Sequence, residues 1–94
     1  VNTWLYINQH EGSVMIMIDT IITGTKTIDE YKKLRANMQE QAERYSQQHM
    51  AATEIWQYGL PVKCWRSDSA DLCIEYKSGQ WWHYTETQNG LEWW

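Results

Sequence analysis

The chain has 94 residues, and we expect residues 1–94 to form a single domain with one modest core. Hydrophobic residues make up 43% and charged residues 21% of it, as in folded soluble proteins, and no apolar run approaches the roughly 20 residues that span a bilayer. The net charge of -4 is spread along the chain without a basic patch, which argues against nucleic-acid binding and favours a basic protein as partner.

The N-terminal segment is predicted to be a β-hairpin. Trp4–Asn8 and Val14–Ile18 are short runs of strand-forming residues that flank a polar segment containing Gly12. A short helix over residues 13–22 is the alternative, because five consecutive apolar residues do not define a helical or a strand period.

Residues 28–58 are predicted to form one long helix without internal Gly or Pro. Thr27 and Glu30 make a capping box at its start, and Gly59 suits the left-handed position after its end. The apolar stripe is narrow and weak in its middle, which leaves open a break near Ser46–His49 and a homodimer interface along the helix. The stripe consists of Ile28, Tyr31, Leu34, Met38, Ala42, Tyr45, His49, Ala52 and Ile55.

The C-terminal third is predicted to be a four-stranded antiparallel meander. Turn-forming residues at 67–70, Ser78-Gly79 and Asn89-Gly90 separate four runs of strand-forming residues. With the hairpin and the helix, this pattern predicts an α+β fold. The four strands are Val62–Arg66, Asp71–Lys77, Gln80–Gln88 and Leu91–Trp94.

The loop lengths predict which side chains share a face of the meander. A four-residue loop at 67–70 and two-residue loops at the other turns set Cys64 opposite Cys73 and His83 opposite Ile74. A slip of one residue would exchange the faces of a strand. The face expected to meet the helix carries Trp65, Leu72, Ile74, Tyr76, Trp81 and His83. The other face carries Val62, Cys64, Cys73, Glu75, Trp82, Tyr84, Glu86 and Trp93.

Tryptophan is the most informative residue type, because the chain has seven Trp and no Phe. Trp81-Trp82 and Trp93-Trp94 are adjacent pairs, and in a strand each pair directs one ring to either face. Rings on a sheet surface can anchor a protein interface or stack on sugars, unless a second core layer covers them. We therefore expect a small acidic non-enzymatic binding protein of the inhibitor, immunity or phage accessory type, with a carbohydrate-binding module as an alternative. The predicted binding residues are Trp82, Tyr84, Trp93, Glu75 and Glu86.

Cys64 and Cys73 are interpreted as two buried free thiols, which favours the cytoplasm. A disulfide across the hairpin is the alternative and would indicate an oxidising compartment. No metal site is predicted, because the register places His83 on the face opposite to both cysteines and zinc needs about four ligands. No cofactor is predicted either, since the chain lacks a glycine-rich phosphate loop.

His83 is the best candidate for acid–base chemistry, although a histidine among strand aromatics is usually a core residue. Together with Lys63, Arg66 and Glu75 it resembles the set that small microbial ribonucleases and related toxin domains carry on a four-stranded antiparallel sheet. The resemblance implies RNA cleavage by His83 with Lys63 or Arg66, as an alternative to binding. The predicted register opposes it, because Glu75 and His83 fall on different faces.

Overall fold

The computed structural model describes residues 18–94, in which one helix packs against a single five-stranded sheet. The strands follow one another across the sheet in chain order; β1 runs parallel to β2 and the other pairs are antiparallel. The α+β class and the C-terminal meander are therefore confirmed. The elements are β1 (Asp19–Thr20), α1 (Ile28–Ala52), β2 (Pro61–Arg66), β3 (Leu72–Tyr76), β4 (Trp81–Thr87) and β5 (Gly90–Trp93).

The predicted N-terminal hairpin lies almost entirely outside the described residues. Within them, Ile18 precedes β1, and Asp19–Thr20 pair with Lys63 and Cys64 of β2. The alternative helix over residues 13–22 is wrong for residues 18–22, because none of them is helical and Asp19–Thr20 form a strand.

The helix begins where the capping signal predicts and ends earlier than expected. The Glu30 amide donates to Thr27 Oγ1 over 3.1 Å, while the Glu30 carboxylate accepts from the Lys26 amide instead of completing the box on Thr27. At the other end Thr53 adopts an extended conformation, and its hydroxyl donates to the carbonyl of His49 over 2.8 Å. The helix therefore stops at Ala52 and not at residue 58, because the Thr53 side chain takes over the bonding of a terminal carbonyl.

The predicted apolar stripe of the helix has few apolar residues in its middle. This middle part is nevertheless the part that is buried in the core. Ser46 and His49 are both buried, and the helix runs through them without a break. The N-terminal end of the helix extends beyond the core, since Ile28 is 70% exposed and Tyr31 39% exposed. Dimerisation along the helix stays a prediction. The core joins Met38, Ala42, Tyr45 and Met50 of α1 to Cys64, Leu72, Ile74, Tyr76 and Tyr84 of the sheet.

The predicted register is wrong by one residue on both sides of β3. The first loop spans residues 67–71, one residue more than expected, and holds Ala70 at a φ of 70°. The next loop spans residues 77–79 with Gly79 at a φ of 97°, which is a three-residue hairpin loop and not a two-residue one. Cys73 consequently pairs with Trp65 and His83, while Cys64 pairs with Ile74.

Because of this shift, the side chains of β3 lie on the opposite face from the one expected relative to β2 and β4. Each face of the sheet therefore carries a different set of residues from the predicted one. At the last turn Tyr84 pairs with Trp93, and Glu86 pairs with Leu91. The helix-facing side carries Cys64, Leu72, Ile74, Tyr76, Trp82, Tyr84 and Trp93. The side away from α1, called the outer face below, carries Lys63, Trp65, Cys73, Glu75, Trp81 and His83.

Candidate functional site on the outer sheet face

A row of four aromatic rings, Trp65, Trp81, His83 and Trp94, crosses the outer face. The ring centres of Trp65 and Trp81 lie 5.3 Å apart, and those of Trp81 and His83 lie 5.2 Å apart. The Trp94 ring stacks on His83 at 5.1 Å with only 7° between the planes. Trp81 is 45% exposed and Trp94 is 56% exposed, so the row presents apolar ring surface to solvent. We call these four residues the outer aromatic row.

Charged side chains border this row on the same face. Lys63 Nζ lies 3.6 Å from a carboxylate oxygen of Glu75 and 5.8 Å from the centre of the Trp65 ring. Glu75 pairs with Trp81 across the strands, and Glu92 pairs with Thr85, two residues beyond His83. Since Lys63 is already paired with one acid, the surroundings of the exposed rings are negative.

Beneath the aromatic row, Asp71, Cys73 and His83 form a compact polar cluster. His83 Nδ1 lies 2.5 Å from Asp71 Oδ2 and 3.4 Å from the sulfur of Cys73. The sulfur lies 3.9 Å from the same carboxylate oxygen, and the Ser67 hydroxyl donates to the other one over 2.8 Å. The cluster arises because Asp71 and Cys73 are two residues apart along one face and Cys73 pairs with His83 on the next strand.

The electrostatics of the cluster argue against a nucleophilic cysteine. Burial and the negative charge of Asp71 together raise the pKa of Cys73 to about 11, so the thiol is protonated at neutral pH. Burial also opposes ionisation of Asp71, but hydrogen bonds from His83 and Ser67 outweigh it and lower the pKa of the carboxyl group. The Cys73 sulfur and the Asp71 carboxylate both contact Nδ1 of His83. In a catalytic triad, the nucleophile and the carboxylate contact different nitrogens of the histidine.

The three aromatic residues predicted to bind a partner lie under the helix, around His49. The ring centre of His49 lies 4.1 Å from that of Trp93, 4.6 Å from that of Trp82 and 5.6 Å from that of Tyr84. Tyr84 is 1% exposed and belongs to the core, and Trp82 and Trp93 are half-buried. These rings form an internal layer that α1 covers.

The two acidic residues of the predicted site are separated by the sheet. Glu86 accepts hydrogen bonds from Arg44 over 2.8 Å and from the Tyr45 hydroxyl over 3.0 Å, and these bonds lower the pKa of its carboxyl group. Glu86 therefore ties the helix to the edge of the sheet. Glu75 lies on the outer face, apart from Trp82 and Tyr84.

The four residues that resemble a ribonuclease site do not lie together, because Arg66 is separated from the other three. His83 shares the outer face with Lys63 and Glu75, so the predicted separation of His83 from Glu75 is wrong. Arg66 instead donates to the Gln41 side chain of α1 over 2.6 Å and to the carbonyl of Ala70. The side-chain partner of His83 is Asp71, which the sequence pattern does not indicate. A three-residue loop at 77–79 places His83 opposite Cys73 and so on the same face as Asp71.

Both cysteines are free thiols, and they point to opposite sides of the sheet, so the alternative of a disulfide across the hairpin is wrong. Within residues 18–94, no helix combines the length and the apolar character that crossing a membrane requires. Comparison of the chain with models of protein families, with curated proteins and with solved structures finds no match.

Proposed function

We propose that the protein is a non-enzymatic binding protein that docks a basic segment of a protein partner on its outer aromatic row. The observation that carries the proposal is the exposure of Trp81 (45%) and Trp94 (56%) in a continuous row of rings on the side of the sheet away from the helix. Tryptophan is strongly enriched among the residues that dominate binding energy at protein interfaces.

The charge around the row supports an arginine-rich partner. A guanidinium group can lie flat on an indole ring while it forms hydrogen bonds with a carboxylate. Glu92 supplies such a carboxylate beside the exposed rings, and Glu75 supplies a second one that it shares with Lys63. The chain as a whole has a net charge of -4. The same charges repel nucleic-acid phosphates, and they oppose a symmetric dimer through this face, because two copies would bring like charges together.

The rings are held in place before a partner arrives. Trp81 and His83 belong to β4 in the interior of the sheet, and Trp94 is fixed by two backbone hydrogen bonds with His83, of 3.0 and 3.2 Å. A preorganised surface loses little side-chain entropy on binding, which improves affinity without additional contacts.

A library of displayed peptides tests the proposal even while the partner is unidentified. Panning against the wild-type protein should enrich peptides that carry arginine. The double variant Trp81→Ala/Trp94→Ala should bind those peptides at least about tenfold more weakly. Tyr31→Ala removes an exposed ring from the helix and serves as the matched control, with binding unchanged.

Selected peptides without enrichment in basic residues, or equal binding by the double variant, would contradict the proposal. A glycan panel distinguishes the carbohydrate alternative: a glycan that binds the wild type but not the double variant would assign the row to sugars. Far-UV circular dichroism should be the same for all three proteins, so that loss of binding is not loss of folding.

A further inference from the structure

We infer that Asp71, Cys73 and His83 form a binding site for one zinc-type divalent metal ion on the outer face. One ligating atom from each residue lies within 4.8 Å of the other two. Carboxylate oxygen, thiolate sulfur and imidazole nitrogen are the three kinds of ligand that zinc takes in proteins. This inference is independent of the docking proposal.

Two of the three distances within the cluster are close to those between zinc ligands. Ligand atoms at the usual zinc bond lengths and tetrahedral angles lie roughly 3.3–3.6 Å from one another. The Cys73 sulfur lies 3.4 Å from His83 Nδ1, which is within that range, and 3.9 Å from Asp71 Oδ2, which is slightly longer. The contact between Asp71 and His83 is 2.5 Å and has to open by about 1 Å to admit the ion.

The three ligating atoms converge on one point. Asp71 Oδ2 and the Cys73 sulfur both approach Nδ1 of His83. The Asp71 side chain is only 9% exposed, and buried charges in proteins are paired or coordinate metals. An ion at the point where the three atoms converge would bond to all of them at once.

The surroundings of the cluster resemble the outer shell of a metal site. The Ser67 hydroxyl donates to Asp71 Oδ1 and so leaves Oδ2 directed at Cys73 and His83. Such bonds orient the ligands and tune the affinity of metal sites. The parallel Trp94 ring fixes the plane of the His83 imidazole, and the His83 side chain remains 29% exposed, which provides a route for the ion.

The ligand types select zinc over magnesium and calcium, because a thiolate and an imidazole prefer the softer ions. Binding releases the thiol proton of Cys73 to solvent and leaves the His83 ring neutral, with its proton on Nε2. Two anionic ligands then balance the charge of the divalent ion. Three protein ligands leave the fourth position open to water or to another ligand.

Cobalt titration of the chelator-treated wild-type protein tests the site directly. Co²⁺ should bind with one equivalent and produce the charge-transfer absorption of a thiolate–cobalt bond, together with the strong visible bands of tetrahedral cobalt. Zn²⁺ should displace it, while Mg²⁺ and Ca²⁺ should not. A wild-type protein without the charge-transfer band would overturn the inference, whatever the variants do.

Paired cysteine variants locate the ligand. Cys73→Ser and His83→Gln each remove a ligand and should weaken cobalt binding at least about a hundredfold. Ser67→Ala removes only a hydrogen bond to a ligand and should weaken it about tenfold. Cys64→Ser replaces the other buried thiol, on the helix side of the sheet, and should keep the wild-type spectrum. Loss of the band in Cys64→Ser, or its persistence in folded Cys73→Ser, would overturn the assignment. His83→Gln alters a partly exposed residue and provides the same test if Cys73→Ser does not fold.

Discussion

The hydroxyl of Tyr84 lies 2.7 Å from Nδ1 of His49, and this hydrogen bond joins the sheet to the helix inside the core. The Tyr76 hydroxyl extends the chain of bonds, 2.6 Å from that of Tyr84. Burial lowers the pKa of His49 to about 4, and the rings that pack on it carry no charge to oppose the shift. His49 is therefore neutral at physiological pH, and its Nδ1 can accept a hydrogen bond from the Tyr84 hydroxyl.

Acid is expected to destabilise the fold through His49. Its pKa is about 4 in the folded state and near 6.5 in the unfolded chain, so the unfolded state binds more protons as the pH falls between these values. The stabilisation is complete above about pH 6.5 and declines as the pH falls through 4. We expect the free energy of unfolding to drop by about 2–3 kcal/mol between pH 7 and pH 4.5. Urea denaturation over this pH series measures it.

The control for this prediction is His49→Gln, whose side-chain oxygen can still accept from Tyr84. The variant should be less stable at neutral pH and should lose only the part of the slope that belongs to the histidine. Carboxylates contribute the rest, among them Glu86, whose pKa is lowered by Arg44 and Tyr45. Identical pH slopes for wild type and variant would show that His49 titrates normally in the folded protein.

The two residues of the first tryptophan pair should lose different amounts of stability on substitution. Trp82 packs on His49 and Tyr76, whereas Trp81 is 45% exposed on the outer face. Trp82→Ala is therefore expected to cost about 2–4 kcal/mol of unfolding free energy, and Trp81→Ala about 1 kcal/mol or less. Urea denaturation of the two variants compares them, and equal losses would place both rings in similar surroundings.

Gly59 is expected to tolerate no side chain, because two separate restrictions act on it. Its φ is +82°, and a Cβ built there would lie 2.8 Å from the Cβ of Lys77. Gly79 has a φ of +97° but open space around it, so it isolates the backbone effect. We expect Gly79→Ala to cost about 1–2 kcal/mol and Gly59→Ala clearly more.

Thermal unfolding of the two glycine variants, followed by far-UV circular dichroism, measures this difference. The comparison is matched, because both changes add one methyl group at a left-handed position. A Gly59→Ala protein as stable as Gly79→Ala would mean that the backbones of residues 59 and 77 separate easily.

Replacing Ala70 should stabilise the protein. Its φ of 70° places an L-residue in the left-handed region, where glycine has no steric penalty. Ala70→Gly is expected to raise the free energy of unfolding by up to about 1 kcal/mol, less the entropy that glycine gains in the unfolded chain. Ala51→Gly, at an exposed helical position, should instead lower it by about 1 kcal/mol. Urea midpoints that shift the same way in both variants would contradict the prediction.

The boundaries of the meander and the start of the helix could be predicted, because local chemistry determines them. Thr27 and Glu30 identify the helix start, and Gly79 and Asn89-Gly90 identify turns whatever the exact loop length. The helix end could not be predicted from Gly59, because Thr53 caps the helix through its own hydroxyl, a bond that no spacing rule signals.

The faces of the sheet could not be predicted, because they depend on single residues in two loops. A left-handed alanine at position 70 is rare, so a four-residue loop was the natural expectation, and Gly79 suits a two-residue loop as well as a three-residue one. One loop shifts the pairing of β3 with β2 by one residue, and the other shifts its pairing with β4 by one residue. The side chains of β3 therefore lie on the opposite face relative to both neighbours. The cluster of Asp71, Cys73 and His83 depends on that register and was missed with it.

The two adjacent tryptophan pairs provide the protein with separate optical reporters. Trp82 and Trp93 emit from beside His49 in the interior, whereas Trp81 and Trp94 emit from the solvent side of the same two strands. A water-soluble quencher such as iodide should reach the second set first. Occupancy of the outer surface and opening of the interior could then be followed separately in one sample, without an added dye.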